Sequence, residues 1–221
     1  MYNLANAYGN QGKYRDTEIL FKQCLDKRKV VLGESDPTTL TTMHGLANTY
    51  DLQGKHREAE ALFKQVLDKM KVVLGENHPD TLTTMNGLAV AYDLQGKYRE
   101  AEILYKQCLD KQKIVLGESH STLMTMSNIA NVYDHQGKHL EAEVLFKQCL
   151  DKMKLVLGEN HPTTLNTMSC LADNNFRQKK YSDAEVIYKQ VLDKQKVVLG
   201  ESHPDTLATM HLCSLIGQRG K

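Results

Sequence analysis

The chain lacks an excess of charge of either sign. Its 28 lysines and arginines almost balance its 27 aspartates and glutamates, which leaves a net charge of +1. This balance supplies no overall field that would attract nucleic acid, an anionic membrane surface or a polyanionic substrate. We therefore expect no nucleic-acid partner and no membrane partner. With 41% hydrophobic and 25% charged residues, the 221-residue composition is that of a folded protein.

Long hydrophobic runs and a secretory leader are also missing. No stretch approaches the roughly 18 apolar residues that a membrane-spanning helix needs. The opening MYNLANAYGNQGKY does not have the basic, apolar and small-residue order of a signal peptide. The five cysteines are odd in number, which favours a reducing compartment over a disulfide framework. We expect a cytoplasmic protein.

The chain contains none of the common signatures of catalysis or cofactor binding. It has no H-E-x-x-H, C-x-x-C, G-x-S-x-G or phosphate-loop motif. Four histidines recur at intervals of 41 or 42 residues, at His78, His120, His161 and His203. Ligands for one ion must converge, so we interpret these histidines as turn or helix-cap residues. The sequence predicts no enzyme, no catalytic residue, no metal site and no cofactor.

The chain does contain an internal repeat. The string VLGENHPDTLTTM, or a close variant, occurs five times, and a QGK motif recurs in step with it. Successive copies of that motif are centred on Gly12, Gly54, Gly96, Gly137, Lys179 and Gly220, at spacings of 42, 42, 41, 42 and 41 residues. A period of this length is typical of solenoids, in which each unit buries its apolar face against its neighbours.

The apolar pattern of each repeat predicts two helices. Residues 38–52 carry apolar side chains at the three-and-four spacing of an amphipathic helix, and residues 56–74 do the same. Gly54 and Gly75 supply helix stops, and Pro37 suits the first turn of a helix. We expect about eleven helices. In the fifth repeat, Lys179 occupies the position at which a glycine ends the first helix of the other repeats. We expect Lys179 to adopt a strained left-handed conformation.

The pattern Met43-x-x-Leu46-Ala47-x-x-Tyr50, followed by Ala59-x-x-x-Phe63, resembles the tetratricopeptide repeat. The 42-residue form, with its LG-x-x-HP-x-T string, is similar to the repeats of kinesin light chains. The resemblance implies an all-α, right-handed superhelical solenoid of antiparallel helix pairs. We expect a single array over residues 1–221, with a partial first repeat at 1–36, full repeats at 37–78, 79–120, 121–161 and 162–203, and a partial sixth repeat at 204–221. Both ends fall inside a repeat, which predicts a fragment of a longer array.

A polar stripe lies opposite the Leu-Ala-Tyr face of the first helix in each unit. In tetratricopeptide arrays the first helices line a concave groove, so the resemblance places this stripe in that groove. Kinesin light chains hold cargo peptides with asparagines of an NNLA segment; Asn86 matches the first of that pair, and Asn3 and Asn128 match the second. The predicted groove residues are Asn3, Asn6, His44, Asn48, Asp51, Asn86, Asp93, Ser127, Asn128, Asn131, Asp134, Ser169 and Asp173.

The charge of this stripe predicts the kind of segment that it binds. Kinesin light chain grooves favour acidic segments, but Asp51, Asp93, Asp134 and Asp173 make the predicted stripe acidic here. Carboxylates along one concave surface attract basic segments and repel acidic ones. We therefore expect a basic or neutral partner segment, with asparagines 48, 86 and 131 holding its backbone.

The preferred functional hypothesis is a non-enzymatic adaptor that binds a protein or peptide segment in its groove. A kinesin light chain-like role, with a kinesin heavy chain or a cargo as the partner of the full-length protein, is its specific form. The alternative is the sensor array of a larger signalling ATPase. We also expect self-association through an apolar face of the sixth repeat that includes Leu207, Met210, Leu212 and Leu215.

Overall fold

A computed structural model describes residues 1–219, with side chains through Ile216. The sixth QGK position, Gly220, and Lys221 lie outside the described residues. The described part of the chain is all helical and contains eleven helices, which confirms the predicted fold class. They are α1 (Tyr2–Asn10), α2 (Tyr14–Leu32), α3 (Pro37–Leu52), α4 (His56–Val73), α5 (Pro79–Leu94), α6 (Tyr98–Leu116), α7 (His120–His135), α8 (His139–Val156), α9 (Pro162–Arg177), α10 (Tyr181–Val198) and α11 (Pro204–Arg219).

Three of the four recurring histidines, His78, His161 and His203, cap the start of a helix, as the sequence predicts. His78 and His161 precede the proline that begins α5 and α9, and their Nδ1 atoms accept the N–H of Asp80 and Thr163 at 3.2 Å. Each bond satisfies one of the N–H groups that a helix start leaves without an intrahelical partner. His120 differs because its repeat lacks the proline, so α7 begins at His120 itself.

The chain divides into two compact units, each of several repeats. The first unit covers Met1–Val115 and the second begins at Leu116. In each unit a buried aromatic side chain of a second helix packs against the first helix of the next repeat. Phe63 of α4 contacts the cluster that contains Met85, and Phe146 of α8 contacts the cluster that contains Met168. The three cysteines at one repeat position, Cys24, Cys108 and Cys149, are buried in this packing and are free thiols.

The first helices lie on the inner side of the bend in each unit. In the first unit α3 approaches both α1 and α5 within 8 Å between Cα atoms, whereas α2 and α4 make no such approach in the described chain. In the second unit α7 approaches α9 in the same way, and α8 and α10 do not. A stack bends toward the row whose members are closer together. We call the surface of the first helices the inner face: α1, α3 and α5 in the first unit, and α7, α9 and α11 in the second.

Within each unit, the QGK motif joins a repeat to the repeat before it. Gln95 and Lys97 both donate to Oε2 of Glu60 on α4, at 2.8 and 2.6 Å, and Lys64 donates to Oε1 at 2.6 Å. The glycine between the glutamine and the lysine adopts a left-handed conformation, with φ 75° at Gly96. This conformation turns the chain at the helix end. Within each unit the motif therefore supplies both a turn and two donors to the joint between repeats.

The same contacts explain why the fifth repeat accepts lysine at the glycine position. Gln178 and Lys180 still donate to Glu143, at 2.9 and 2.7 Å, and Lys179 between them adopts φ 63°. The predicted left-handed conformation is confirmed. A side chain in this region of backbone space costs about 1 kcal/mol.

Replacing Lys179 with glycine is expected to stabilise the protein by about 0.5 to 1 kcal/mol, because it removes this strain and keeps the neighbouring donors. Equilibrium urea unfolding measures the effect. Gly137→Lys, at the same position of the fourth repeat, is the matched reverse change and is expected to destabilise by a similar amount. Equal stability of Lys179→Gly and wild type would show that the strain is absent.

Candidate functional site

A chain of polar contacts crosses the inner face of the first unit. The amide of Asn48 donates to Nε2 of His44 at 3.0 Å, so Nδ1 of His44 carries the hydrogen and donates to the Thr84 hydroxyl at 3.1 Å. The Thr84 hydroxyl in turn donates to the sulfur of Met70 at 3.2 Å. Burial lowers the pKa of His44 to about 4, so the imidazole is neutral near pH 7. Asn48 itself is exposed on this face.

Two of the predicted aspartates bind the first residue of the following helix. Asp51 accepts from Nδ1 of His56 at 3.0 Å, and Asp134 accepts from Nδ1 of His139 at 2.6 Å. Burial raises the pKa of Asp51, although the hydrogen bond from His56 opposes the increase. Both carboxylates lie at the C-terminal end of their helix, where they join the two helices of one repeat.

Asp134 is also tied to the next repeat. Only 6% of the residue is exposed. Asn174 donates to its Oδ1 at 2.7 Å, and Arg177 donates to its Oδ2 at 2.5 Å. Four hydrogen-bonded side chains from α7, α8 and α9 thus form one network, which we call the Asp134 network. This carboxylate stabilises the helix packing and is not presented to a ligand.

Other predicted residues of the second unit divide into internal and exposed groups. Ser127 is buried, and its hydroxyl bonds the Thr167 hydroxyl at 3.1 Å, while the Ser169 hydroxyl donates to a carbonyl of its own helix at 3.2 Å. Asn131 bonds the Cys170 thiol, whose pKa burial raises to about 11. Asp173 is exposed and accepts a hydrogen bond from the Tyr188 hydroxyl.

The remaining predicted residues are spread along the inner face. Asn3 and Asn6 are exposed on α1, while Asn86 and Asp93 on α5 and Asn128 on α7 are partly buried. Oδ1 of Asn86 is buried with no hydrogen-bond partner among the described atoms. The structure therefore brings His44 and Asn48 together on α3. Asp51 and Asp134 instead bond residues of neighbouring helices.

One column of residues that the sequence analysis missed lies beneath the inner face. It consists of the residues at the same position of each second helix, namely Arg28, Met70, Gln112, Met153 and Gln195. Arg28 is partly buried and the others are buried. The sequence does carry a signal for this column. The position alternates between polar and apolar residues from repeat to repeat, although the residues one helical turn before and after it are mostly apolar.

The described residues contain neither a cluster of metal-ligating side chains nor a membrane-spanning helix. The rings of His120 and His161 do lie near each other, with centroids 5.2 Å apart, contrary to the expectation that these histidines stay separate. No group of three or more histidine, cysteine, aspartate or glutamate side chains able to hold a metal ion occurs in residues 1–219. Within the same residues, no helix combines the length and the apolar character needed to span a membrane.

Comparison with solved structures places the chain among helical-repeat proteins. It superposes on the nearly identical TPR-like repeats of a Podosopora anserina protein described as a kinesin light chain, with a TM-score of 0.72, 27% identity and coverage of 90% of this chain and 94% of that one. BtubC (BKLC) from P. vanneervenii gives a TM-score of 0.75 at 18% identity, covering 93% and 83%. The Rap conjugation gene regulator of plasmid pLS20, in complex with the Phr* peptide, gives 0.81 at 12% identity, covering 97% and 57%.

The sequence profile of the tetratricopeptide repeat family matches residues 1–71, 54–113 and 121–196, which together span most of the chain. No curated protein sequence matches it. The matched ranges fall on the helix pairs from α1 to α10. The chain belongs to the tetratricopeptide repeat family and is similar to kinesin light chain-like repeats.

Proposed function

We propose that the protein is a non-enzymatic interaction scaffold that binds an extended segment of a partner protein on the inner face of its repeats. The observation that carries this proposal is the set of side-chain amides at one position of the first helices, at Asn6, Asn48 and Asn131. Amides both donate to and accept from an extended backbone, which suits them to a segment of variable sequence.

The finer form of this function is a cytoplasmic adaptor of the kinesin light chain type. Its support is the match to the Podosopora anserina repeats, at 27% identity over nearly the whole of both chains. The partner is then a cargo segment, or a kinesin heavy chain reached through the full-length protein.

A second candidate, the sensor array of a larger signalling protein, has its own support. The Rap protein bound to Competence and Sporulation Factor and the pLS20 regulator bound to the Phr* peptide have the same fold, with TM-scores of 0.76 and 0.81. Both candidates use the inner face to bind a peptide. A nucleotide-binding domain in the full-length protein would favour the sensor, and a heptad coiled coil would favour the adaptor.

The test is selection from a random peptide library on the immobilised chain, followed by affinity measurements on variants. Asn48→Ala together with Asn131→Ala is expected to weaken the selected peptides about 10-fold, since each lost amide contact contributes about 0.5 to 1 kcal/mol. The matched control is Gln65→Ala with Gln148→Ala, which removes two exposed amides from the second helices α4 and α8. Failure to select any peptide, or equal losses in the two variants, would overturn the proposal.

The apolar face of α11 leads to a separate prediction of self-association. Leu207, Met210, Leu212 and Leu215 are 37–51% exposed on one helix. Burying such side chains contributes about 25 cal/mol for each Å² of apolar area. We expect the sedimentation coefficient to rise with concentration, and Leu207→Glu with Leu215→Glu to remove the increase. A wild-type chain that stays monomeric at high concentration would contradict this prediction.

A further inference from the structure

Within each unit, neighbouring first helices leave gaps between them, and Arg28, Met70 and Gln195 each lie in one of these gaps. Arg28 lies in the gap between α1 and α3. Its guanidinium donates to the Thr38 carbonyl at 2.7 Å and to the Thr42 hydroxyl at 2.6 Å, and it lies 5.2 Å from the ring centroid of Tyr2. The chain thus fills this gap with a guanidinium of its own, which meets oxygen acceptors and an aromatic ring.

Two other gaps are closed by hydroxyl, imidazole or thioether groups, although Asp80 also lines the first of them. Between α3 and α5, the contacts from His44 through Thr84 to Met70 leave a cavity of only about 120 Å³. Between α7 and α9, the hydroxyls of Ser127 and Thr167 bond each other at 3.1 Å. In both gaps the polar groups near the floor have partners inside the protein.

The gap between α9 and α11 is open. It contains a cavity of about 290 Å³ with Gln195 among its lining residues. Gln195 is only 8% exposed, and its Oε1 is buried with no hydrogen-bond partner among the described residues. A buried amide oxygen without a donor costs about 1 to 3 kcal/mol, so a rotation of the Gln195 side chain that presents this oxygen to a donor in the cavity would be favourable.

The charge around the same cavity is negative. Asp173 and Asp205 line it, and both are exposed, whereas no lysine, arginine or histidine is among its lining residues in the described chain. The Tyr188 hydroxyl donates to Asp173 and holds this carboxylate in place. Nδ1 of His203 lies 3.7 Å from the Asp205 carboxylate, outside the cavity lining. Leu165, Leu199 and Leu212 form apolar walls below the carboxylates.

We propose that this cavity binds an arginine side chain of the partner segment, an assignment that rests on the proposed peptide-binding function and names its preferred residue. The guanidinium would occupy the place that Arg28 fills between α1 and α3. Asp205 and Thr209 are the repeat equivalents of Thr38 and Thr42, the two acceptors of Arg28. Gln195 stands where Arg28 stands, and its side chain ends in a neutral amide, so the chain supplies no guanidinium here.

Arginine suits the cavity better than lysine or a neutral side chain. Its planar head carries five N–H donors, so it can bond several acceptors at once, as Arg28 bonds both Thr38 and Thr42. Its methylene groups can pack along the leucine walls while its charge stays near the rim. Lysine carries only three donors on a compact ammonium group and binds as a point charge.

The proposal is tested directly by NMR titration of the ¹⁵N-labelled chain with Nα-acetylarginine N-methylamide. The matched probe is the citrulline compound, which has the same shape without the charge. We expect the arginine compound to change the amide signals of Gln195, Asp173 and Asp205, and to bind at least about 5-fold more tightly than the citrulline compound. Equal binding of the two probes, or signal changes elsewhere only, would overturn the assignment.

Other repeats supply substitutions that keep the fold. Gln195→Met copies Met70 and Met153, Asp173→Asn copies Asn48 and Asn131, and Gln195→Arg copies Arg28. Each is expected to weaken the arginine probe about 5-fold or more, and Gln195→Arg the most, since it fills the cavity from within and adds a positive charge. Undiminished binding by Gln195→Arg would overturn the proposal.

Experiments with the selected library peptides distinguish a failure of the arginine site from a failure of the proposed peptide-binding function. If they bind the inner face but tolerate arginine-to-citrulline exchange, the scaffold function stands and the arginine site is wrong. If no peptide binds while the arginine probe does, the cavity assignment stands and the peptide-binding function is wrong.

Discussion

Replacing Asp134 with alanine is expected to lower the free energy of unfolding by about 3 kcal/mol. The substitution removes the acceptor of three side chains, His139, Asn174 and Arg177. The loss is the sum of three hydrogen bonds to a carboxylate at about 1 kcal/mol each, and Asn174, which is fully buried, is left without this acceptor, whereas the exposed Arg177 side chain can turn to water. Equilibrium urea unfolding followed by circular dichroism measures the loss.

Asp51 provides the internal comparison, because it occupies the equivalent place two repeats earlier and, in the described part of the chain, accepts a hydrogen bond from His56 alone. Asp51→Ala is expected to cost about 1 kcal/mol. Arg177→Ala, alone and combined with Asp134→Ala, completes a double-mutant cycle that isolates the ion pair. Equal losses for Asp134→Ala and Asp51→Ala would contradict the special role of the Asp134 network.

The second large effect is a loss of stability in acid. Three glutamates join the repeats, and each has a pKa of about 2 against an ordinary value of 4.5. For Glu18 the hydrogen bond from Lys22 is the main cause, followed by the bond from Lys55. Burial alone would raise the pKa of Glu60 and Glu143, but the bonds from two lysines and a glutamine to each carboxylate outweigh it.

The sign of the effect follows from these lowered values. The stabilisation is complete above the unfolded pKa of 4.5 and is lost as the pH falls toward the folded pKa of about 2. The lysine partners are 37–59% exposed, so solvent screening reduces the gain to about 1 to 2 kcal/mol for each glutamate. We expect urea unfolding between about pH 5 and pH 3 to show most of this loss.

The matched variant carries Glu18→Gln, Glu60→Gln and Glu143→Gln. It is expected to be less stable than wild type near neutral pH, with a difference that shrinks as the pH falls, because wild type then loses the same charges. A stability difference between the two proteins that stays constant with pH would show that these carboxylates do not hold the repeats together through their charge.

Sequence reasoning could predict the features that depend on neighbouring residues. The helix pairs follow from apolar spacing, the left-handed turns from glycine, and the histidine caps from their place before proline. The strained Lys179 could be predicted because alignment with the other repeats shows what stands there in each one.

Contacts between repeats could not be predicted in the same way. Asp134 and Arg177 are 43 residues apart in sequence, and their ion pair depends on how α7 and α9 pack. The aspartates of the predicted stripe look equivalent by position, but alignment by repeat places Asp173 with Asn131 instead of with Asp134. Gln195 is a comparable case, because a glutamine in a helix is ordinary until the structure leaves its oxygen buried and without a donor.

The measurement that tests the central claim most directly is photo-crosslinking of a selected peptide. The photoreactive amino acid p-benzoylphenylalanine is placed at position 48 or 131 on the inner face, or at position 65 or 148 on the second helices, and mass spectrometry locates the products. Binding of the segment on the inner face predicts that positions 48 and 131 crosslink the peptide with about 10-fold higher yield. Equal yields, or higher yields from positions 65 and 148, would contradict the account.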